Sequence, residues 1–140
     1  MRRKPTAYRV VLEVGALKLT CALRPQSAAF EPVEKMCDVM EQCHQADLSS
    51  GFAEADFLFH QRLLELSRNS HLIQMFSHSA QLIFVAAPIA DAARRAAELV
   101  TIREHREILA HVRHADVAEA VTRLESHLMQ TKKGFKAALR

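Results

Sequence analysis

Apolar residues recur three and four apart along most of this chain, the spacing that sets one side of an α-helix against a core. The pattern predicts a first helix over 7–23, with Val10, Val11, Val14, Leu17 and Ala22 on its apolar side and Gly15 as a weak point. Arg24-Pro25-Gln26-Ser27 ends it, because the residue before a proline avoids helical backbone. A second helix starts near Glu31, tolerates Pro32 in its first turn, and runs through Met36, Val39 and Met40 to about Gln45. The stretch from Asp47 to Gly51 reads as a turn whose serines cap a third helix, which carries Phe52, Phe59, Leu63 and Leu66 and ends near 68–70. A fourth helix follows from His71, with Leu72, Met75, Phe76, Leu82, Ile83 and Val85 along it, and Pro88 kinks or ends it. Residues 89–97 are rich in Ala and Arg and fit helix or loop. A fifth helix over 98–113 places Leu99, Ile102, His105, Leu109 and Val112 on one face. Asp116 then caps a sixth, from 117 to about 132, that buries Val117, Ala120, Val121, Leu124, His127 and Leu128. Lys132, Lys133 and Lys136 at its end suit the helix dipole. With short connections throughout, the expected fold is all-α: an antiparallel bundle of about six helices.

Composition narrows this picture. At 140 residues, 49% of them apolar, the chain makes one domain with a substantial core. No apolar run approaches the ~20 residues of a membrane span. The basic opening Met1-Arg2-Arg3-Lys4-Pro5 lacks the apolar stretch of a secretory signal, so a cytoplasmic protein is expected. Cys21, Cys37 and Cys43 are an odd set without a CxxC spacing, which fits idle thiols in a reducing compartment. A net charge of +3, scattered along the chain, does not argue for nucleic-acid binding.

Candidate chemistry comes from three histidines set into oily stripes. Asp56 and His60 are four apart, so they share a face of the third helix with Phe52, Phe59 and Leu63. His105 and His127 interrupt the stripes of the fifth and sixth helices, which a short turn folds into a hairpin. If the third helix packs there too, Asp56, His60, His105 and His127 converge. Three imidazoles and a carboxylate suit a divalent transition metal, zinc or nickel, with a position left open for water or ligand. Each histidine taken singly also fits a hydrogen-bonded core residue. His44, His71, His78, His111 and His114 lie at helix ends or on polar faces and read as surface residues. Glu104 points about a quarter-turn from His105 and reads as an outer or solvated carboxylate.

Several short motifs together resemble a known family. Asp56-x-x-Phe59-His60, the turn Ser67-Arg68-Asn69-Ser70, Glu104-His105-Arg106-Glu107-Ile108-Leu109, Asp116-x-x-x-Ala120 and Ser126-His127-Leu128 are similar to the FCD domain. That domain is the effector-binding C-terminal part of FadR-type regulators in the GntR superfamily. Tyr8-Arg9-Val10-Val11-Leu12-Glu13 likewise resembles the Arg-x-x-Leu-Glu of its first helix, so the likeness runs from about Tyr8 to Lys133. One departure lies in the turn: where the family has Ser-Gly-Asn-Pro, Arg68 replaces a glycine that turns left-handed at little cost.

The resemblance implies a ligand-sensing and dimerisation domain whose metal site takes a small organic acid, with Arg9 and Asn69 as effector contacts. Arg9 reads equally well as a surface residue paired with Glu13 at i+4. A homodimer is implied, and DNA is reached only through an N-terminal winged helix-turn-helix domain, which residues 1–140 do not include. Two other functions fit the same residues: a metal-dependent hydrolytic enzyme, which needs a general base that the three inner faces do not supply, and a metal-free dimerisation module.

Overall fold

The computed structural model describes the backbone of residues 5–80 and 91–138 and the side chains of 7–78 and 91–130. Among these residues the elements are α1 (Pro5–Leu23), a 3-10 turn at Ser27–Phe30, α2 (Glu31–Gln45), α3 (Ser49–Glu65), α4 (Ser70–Ala80), α5 (Asp91–Arg113) and α6 (Val117–Ala138). The all-α expectation holds. α2 lies along α3, α1 along α6, and α5 against both α6 and α2, while α4 folds onto α3 and α1.

Burial of complementary stripes holds these helices together. Leu17, Phe30, Val33, Cys37, Met40, Phe59, Ile108 and Leu124 are almost wholly removed from water and form one continuous core across α1, α2, α3, α5 and α6. A smaller cluster of Leu12, Ala16, Leu64 and Phe76 joins α1, α3 and α4, and the ring of Phe76 stacks on Phe57 at 5.8 Å. At about 25 cal/mol per Å² of apolar surface, such side chains outweigh the weak intrinsic preferences of single residues. Cys21, Cys37 and Cys43 are free thiols, and burial pushes that of Cys37 up to about 12.

Several boundaries and faces differ from the sequence expectation. α3 ends at Glu65 rather than near 68–70, and Ser49 and Ser50 lie inside its first turn instead of capping it. α5 is described from Asp91, so 91–97, which fitted helix or loop, are helix, and these first turns are clamped from outside. Arg94 pairs with Glu98 at 3.0 Å and with Asp47, and Arg95 reaches Asp47 and the carbonyl of His44. α6 continues past Lys132 to Ala138. The residues at 82, 83, 85 and 88, given to the fourth helix and its end, lie outside the described residues.

Five apolar positions of the expected stripes are on the outside, Ala22 and Met75 among them. Val11 is 73% exposed, Leu99 56% and Val117 41%. On α1, Val10, Val11 and Val14 compete with Leu12, Ala16 and Leu17 for the inner side, and the neighbours α3, α4 and α6 cover the second set more fully. His44 is the converse case: expected at the surface, it is buried and its Nδ1 meets Glu98 at 2.8 Å, joining the end of α2 to α5. His71, His78 and His114 are exposed as expected.

Gly15 and Gly51, both helical, call for opposite treatment. A methyl at Gly51 would lie 3.0 Å from the sulfur of Cys43, so this glycine permits the close approach of α3 to α2. A methyl at Gly15 meets nothing within 4 Å. Gly15→Ala is therefore expected to stabilise the protein by about 0.5–1 kcal/mol, read as a rise in chemical-denaturation midpoint at unchanged slope. Gly51→Ala should lower it.

Candidate metal centre

The site begins with helical periodicity. On α3, Asp56 and His60 fall one turn apart, and Phe59 beside them is completely buried. Asp116 ends the α5–α6 turn, accepting from the Glu119 N–H at 3.5 Å, and so folds His105 of α5 against His127 of α6. α3 closes on that hairpin through Phe59, whose ring stacks on His105 at 3.8 Å between centroids with planes 7° apart.

The four residues expected to converge do so. One ligand atom from each of Asp56, His60, His105 and His127 lies within 4.8 Å of all the others. Asp56 Oδ1 is 3.4 Å from His60 Nε2 and 3.3 Å from His105 Nε2, and His105 Nε2 is 3.1 Å from His127 Nε2. A tetrahedral ion with bonds of about 2.1 Å separates its ligand atoms by about 3.4 Å, so the spacing suits a first-row divalent cation. The buried Asp56 Oδ1 makes no hydrogen bond among the described residues, which is the condition of an atom aimed at a ligand. The three histidines are 0–4% exposed in their side chains and Asp56 is 24%, so Asp56 is the member of the group nearest to solvent.

Outer carboxylates set two of the rings. His60 Nδ1 donates to Glu13 of α1, and His127 Nδ1 donates to Glu104 of α5. Each ring therefore turns Nε2 toward the shared centre, the arrangement by which second partners orient metal-binding histidines. Glu104 thus belongs to the outer layer. Glu13 was legible only as a partner for Arg9. That pair does form, Arg9 Nε donating to Glu13 Oε2 at 2.8 Å, but both residues are buried rather than on a helix surface. Glu13 shares a face with Ala16, Leu17 and Thr20, a register that competes with that of Val10, Val11 and Val14.

Charge follows from these contacts. Burial opposes ionisation of Glu13, yet His60 and Arg9 outweigh it and hold the carboxyl down at about 2. Burial also works against a proton on His60, but Glu13 overcomes it and raises this imidazole above its ordinary 6.5. His105 goes the other way: burial, then the neighbouring His127 and His60, push it well below 6.5 and keep it neutral.

The effector contacts expected from the family fare differently. Arg9 is in the interior, one carboxylate away from His60. Asn69 Oδ1 accepts from the Leu72 N–H at 3.1 Å and caps α4. Arg68 before it stands at φ 54°, the left-handed conformation that costs a non-glycine residue roughly 1 kcal/mol. The narrow void lined by Glu13, Leu17, His60, Leu63 and Leu64 has no room for a water molecule.

The sequence finds no match among curated proteins. The family model of the FCD domain matches residues 6–130, the span that contains α1 through most of α6 and every residue of the converging group. The chain belongs to the FCD domain family, the effector-binding regulatory domain of GntR-type transcriptional regulators.

Proposed function

We propose that this chain senses a small organic acid at a divalent metal, zinc or nickel, held by Asp56, His60, His105 and His127. The observation that carries the reading is the convergence of three imidazole nitrogens and a carboxylate oxygen at metal-ligand spacing. All-nitrogen-and-oxygen ligation without cysteine suits an exchangeable site better than a closed structural one. When bound, such a metal supplies a Lewis-acid position at which a carboxylate replaces water. Asp56 presents that position to solvent, and Arg9 stands behind His60 as a charge-assisted partner for an acid. Because Arg9 is buried on Glu13 and the adjoining void is too narrow for a water molecule, acid binding there requires local rearrangement among α1, α3 and their neighbours.

Metal uptake tests the reading. Metal ligands must be deprotonated, and His60 holds a proton more firmly than an ordinary imidazole. Zinc affinity should therefore weaken as pH falls from 8 to 6, by about tenfold per unit for each proton displaced. Competition titrations at the two pH values measure this. An affinity unchanged over that range would remove His60 from the ligand set.

The metal-sensing domain is also proposed to act as a homodimer. Tyr8, Val11, Leu19 and Leu23 present apolar surface along the outer side of α1, at 40–73% exposure, and Met75 does so on α4. Closed twofold pairs are the commonest way to cover such a face. Sedimentation at micromolar concentration is expected to give about twice the chain mass of 15.8 kDa; a single species at 15.8 kDa would exclude the dimer.

A further inference from the structure

Glu13 is the residue through which α1 reaches the converging group. One of its oxygens accepts from His60 Nδ1 and the other from Arg9 Nε at 2.8 Å, and its side chain is 3% exposed. A carboxylate so deeply buried is costly unless both oxygens are engaged. By taking Nδ1, Glu13 leaves Nε2 as the His60 nitrogen that faces Asp56, His105 and His127. Glu104 treats His127 in the same way, but from α5, which already belongs to the hairpin carrying His105 and His127. Of these two carboxylate–histidine contacts, the Glu13 one spans from α1 to α3.

We infer that Glu13 is the positioning residue that ties α1 to the metal centre, fixing the nitrogen His60 offers and drawing α1 onto α3 when that nitrogen takes a metal. This rests on the metal reading above. Arg9 is the counter-charge that keeps Glu13 in place, so the order of contacts is Arg9, Glu13, His60, metal. Occupancy of the centre is thereby passed to the backbone of α1, which otherwise contributes no ligand to it.

The test is zinc titration together with amide hydrogen exchange on the wild-type chain, Glu13→Gln and Glu104→Gln. An amide keeps the size of Glu13 but does not provide an anion to both His60 and Arg9. Either substitution is expected to weaken zinc binding by about 10–100-fold. Zinc should slow exchange around residues 9–17 of α1 in the wild type. At saturating zinc this slowing is lost in Glu13→Gln and retained in Glu104→Gln. If Glu13 served folding alone, Glu13→Gln would lower the melting temperature of the metal-free protein but leave zinc affinity and zinc-induced slowing in α1 as in the wild type, which overturns the inference. Should Glu13→Gln fail to fold, the wild type decides: zinc that slows exchange in α3, α5 and α6 but not in α1 also overturns it. Absence of zinc binding by the wild type removes both this inference and the proposed function, whereas binding with no effect on α1 removes the inference alone.

Discussion

His105→Ala is expected to lose stoichiometric metal binding at neutral pH while keeping its fold. Structural zinc sites with four ligands have apparent binding energies of roughly 10–16 kcal/mol, so one ligand accounts for about 3 kcal/mol, a loss on the order of a hundredfold. His105 is the ligand whose removal is cleanest. Burial and its imidazole neighbours keep its ring neutral, and its Nδ1 has no hydrogen-bond partner among the described residues. Removing this neutral ring gives up its Nε2 contacts with Asp56 and His127 but strands no buried charge-paired carboxylate, unlike at His60, where Glu13 would lose its partner. The measurement is the zinc-induced gain in melting temperature. Metal at a hundred times its dissociation constant stabilises the wild type by about 2.7 kcal/mol, and His105→Ala should show almost none of that gain. A wild-type-sized shift in the variant would mean that the metal sits elsewhere.

The second large effect falls on Phe59. It is wholly buried in the main core, and its ring lies flat against His105 at 3.8 Å. Phe59→Ala removes most of an aromatic side chain where neighbours on α3 and α5 do not close the gap. The expected cost is about 3–5 kcal/mol, a large part of the 5–15 kcal/mol by which a domain is ordinarily stable. Phe59→Leu keeps most of the apolar volume and should cost less, about 1–2 kcal/mol. The pair also separates packing from positioning. Both variants free one face of the His105 ring, so both should weaken zinc binding, whereas only Phe59→Ala should strongly lower the denaturation midpoint. Unchanged zinc affinity in Phe59→Leu would show that the stack does not orient His105.

What could be read from the chain follows from how local each feature is. The i, i+4 spacing of Asp56 and His60, and the single histidines in the stripes of α5 and α6, are properties of one helix at a time. The short turn at Asp116 then settles which two stripes meet. At the Arg68 turn the sequence showed only the departure from glycine and left the shape open; the structure keeps the left-handed backbone at φ 54°. Features set by distant partners were not legible. His44 lies at a helix end, where solvent is the ordinary outcome, until Glu98 arrives from 54 residues away. The helical turns of α5 before Glu98 are likewise tied to Asp47, which holds Arg94 and Arg95 from the far end of α2. Glu13 was hidden for a similar reason: α1 carries apolar residues on two sides, and periodicity alone does not choose between them. Once α3 and α4 cover the side of Leu12 and Ala16, Glu13 and Arg9 become buried, and the outer partner of His60 is decided.

The pH behaviour of the metal-free protein carries the same logic. Glu13, held down at about 2 against an ordinary 4.5, contributes stability above 4.5 that is lost as pH falls toward 2. His60, raised above 6.5, contributes stability below 6.5 that is lost as pH rises through its higher folded value. Their pair is therefore strongest between those two ordinary values. A neutral His105 opposes it there, because the unfolded chain gains a proton below 6.5 that the folded chain refuses.

The most direct test of the central claim is X-ray absorption at the zinc edge of the wild-type chain after equilibration with zinc and removal of the excess. The expected spectrum has one equivalent of zinc, a first shell of nitrogen and oxygen at about 2.0–2.2 Å, and the outer-shell scattering of three imidazoles. Zinc that dialyses away, or a retained ion with sulfur ligands or fewer than three imidazoles, would contradict the assignment. It would leave His60, His105 and His127 as hydrogen-bonded residues of the core.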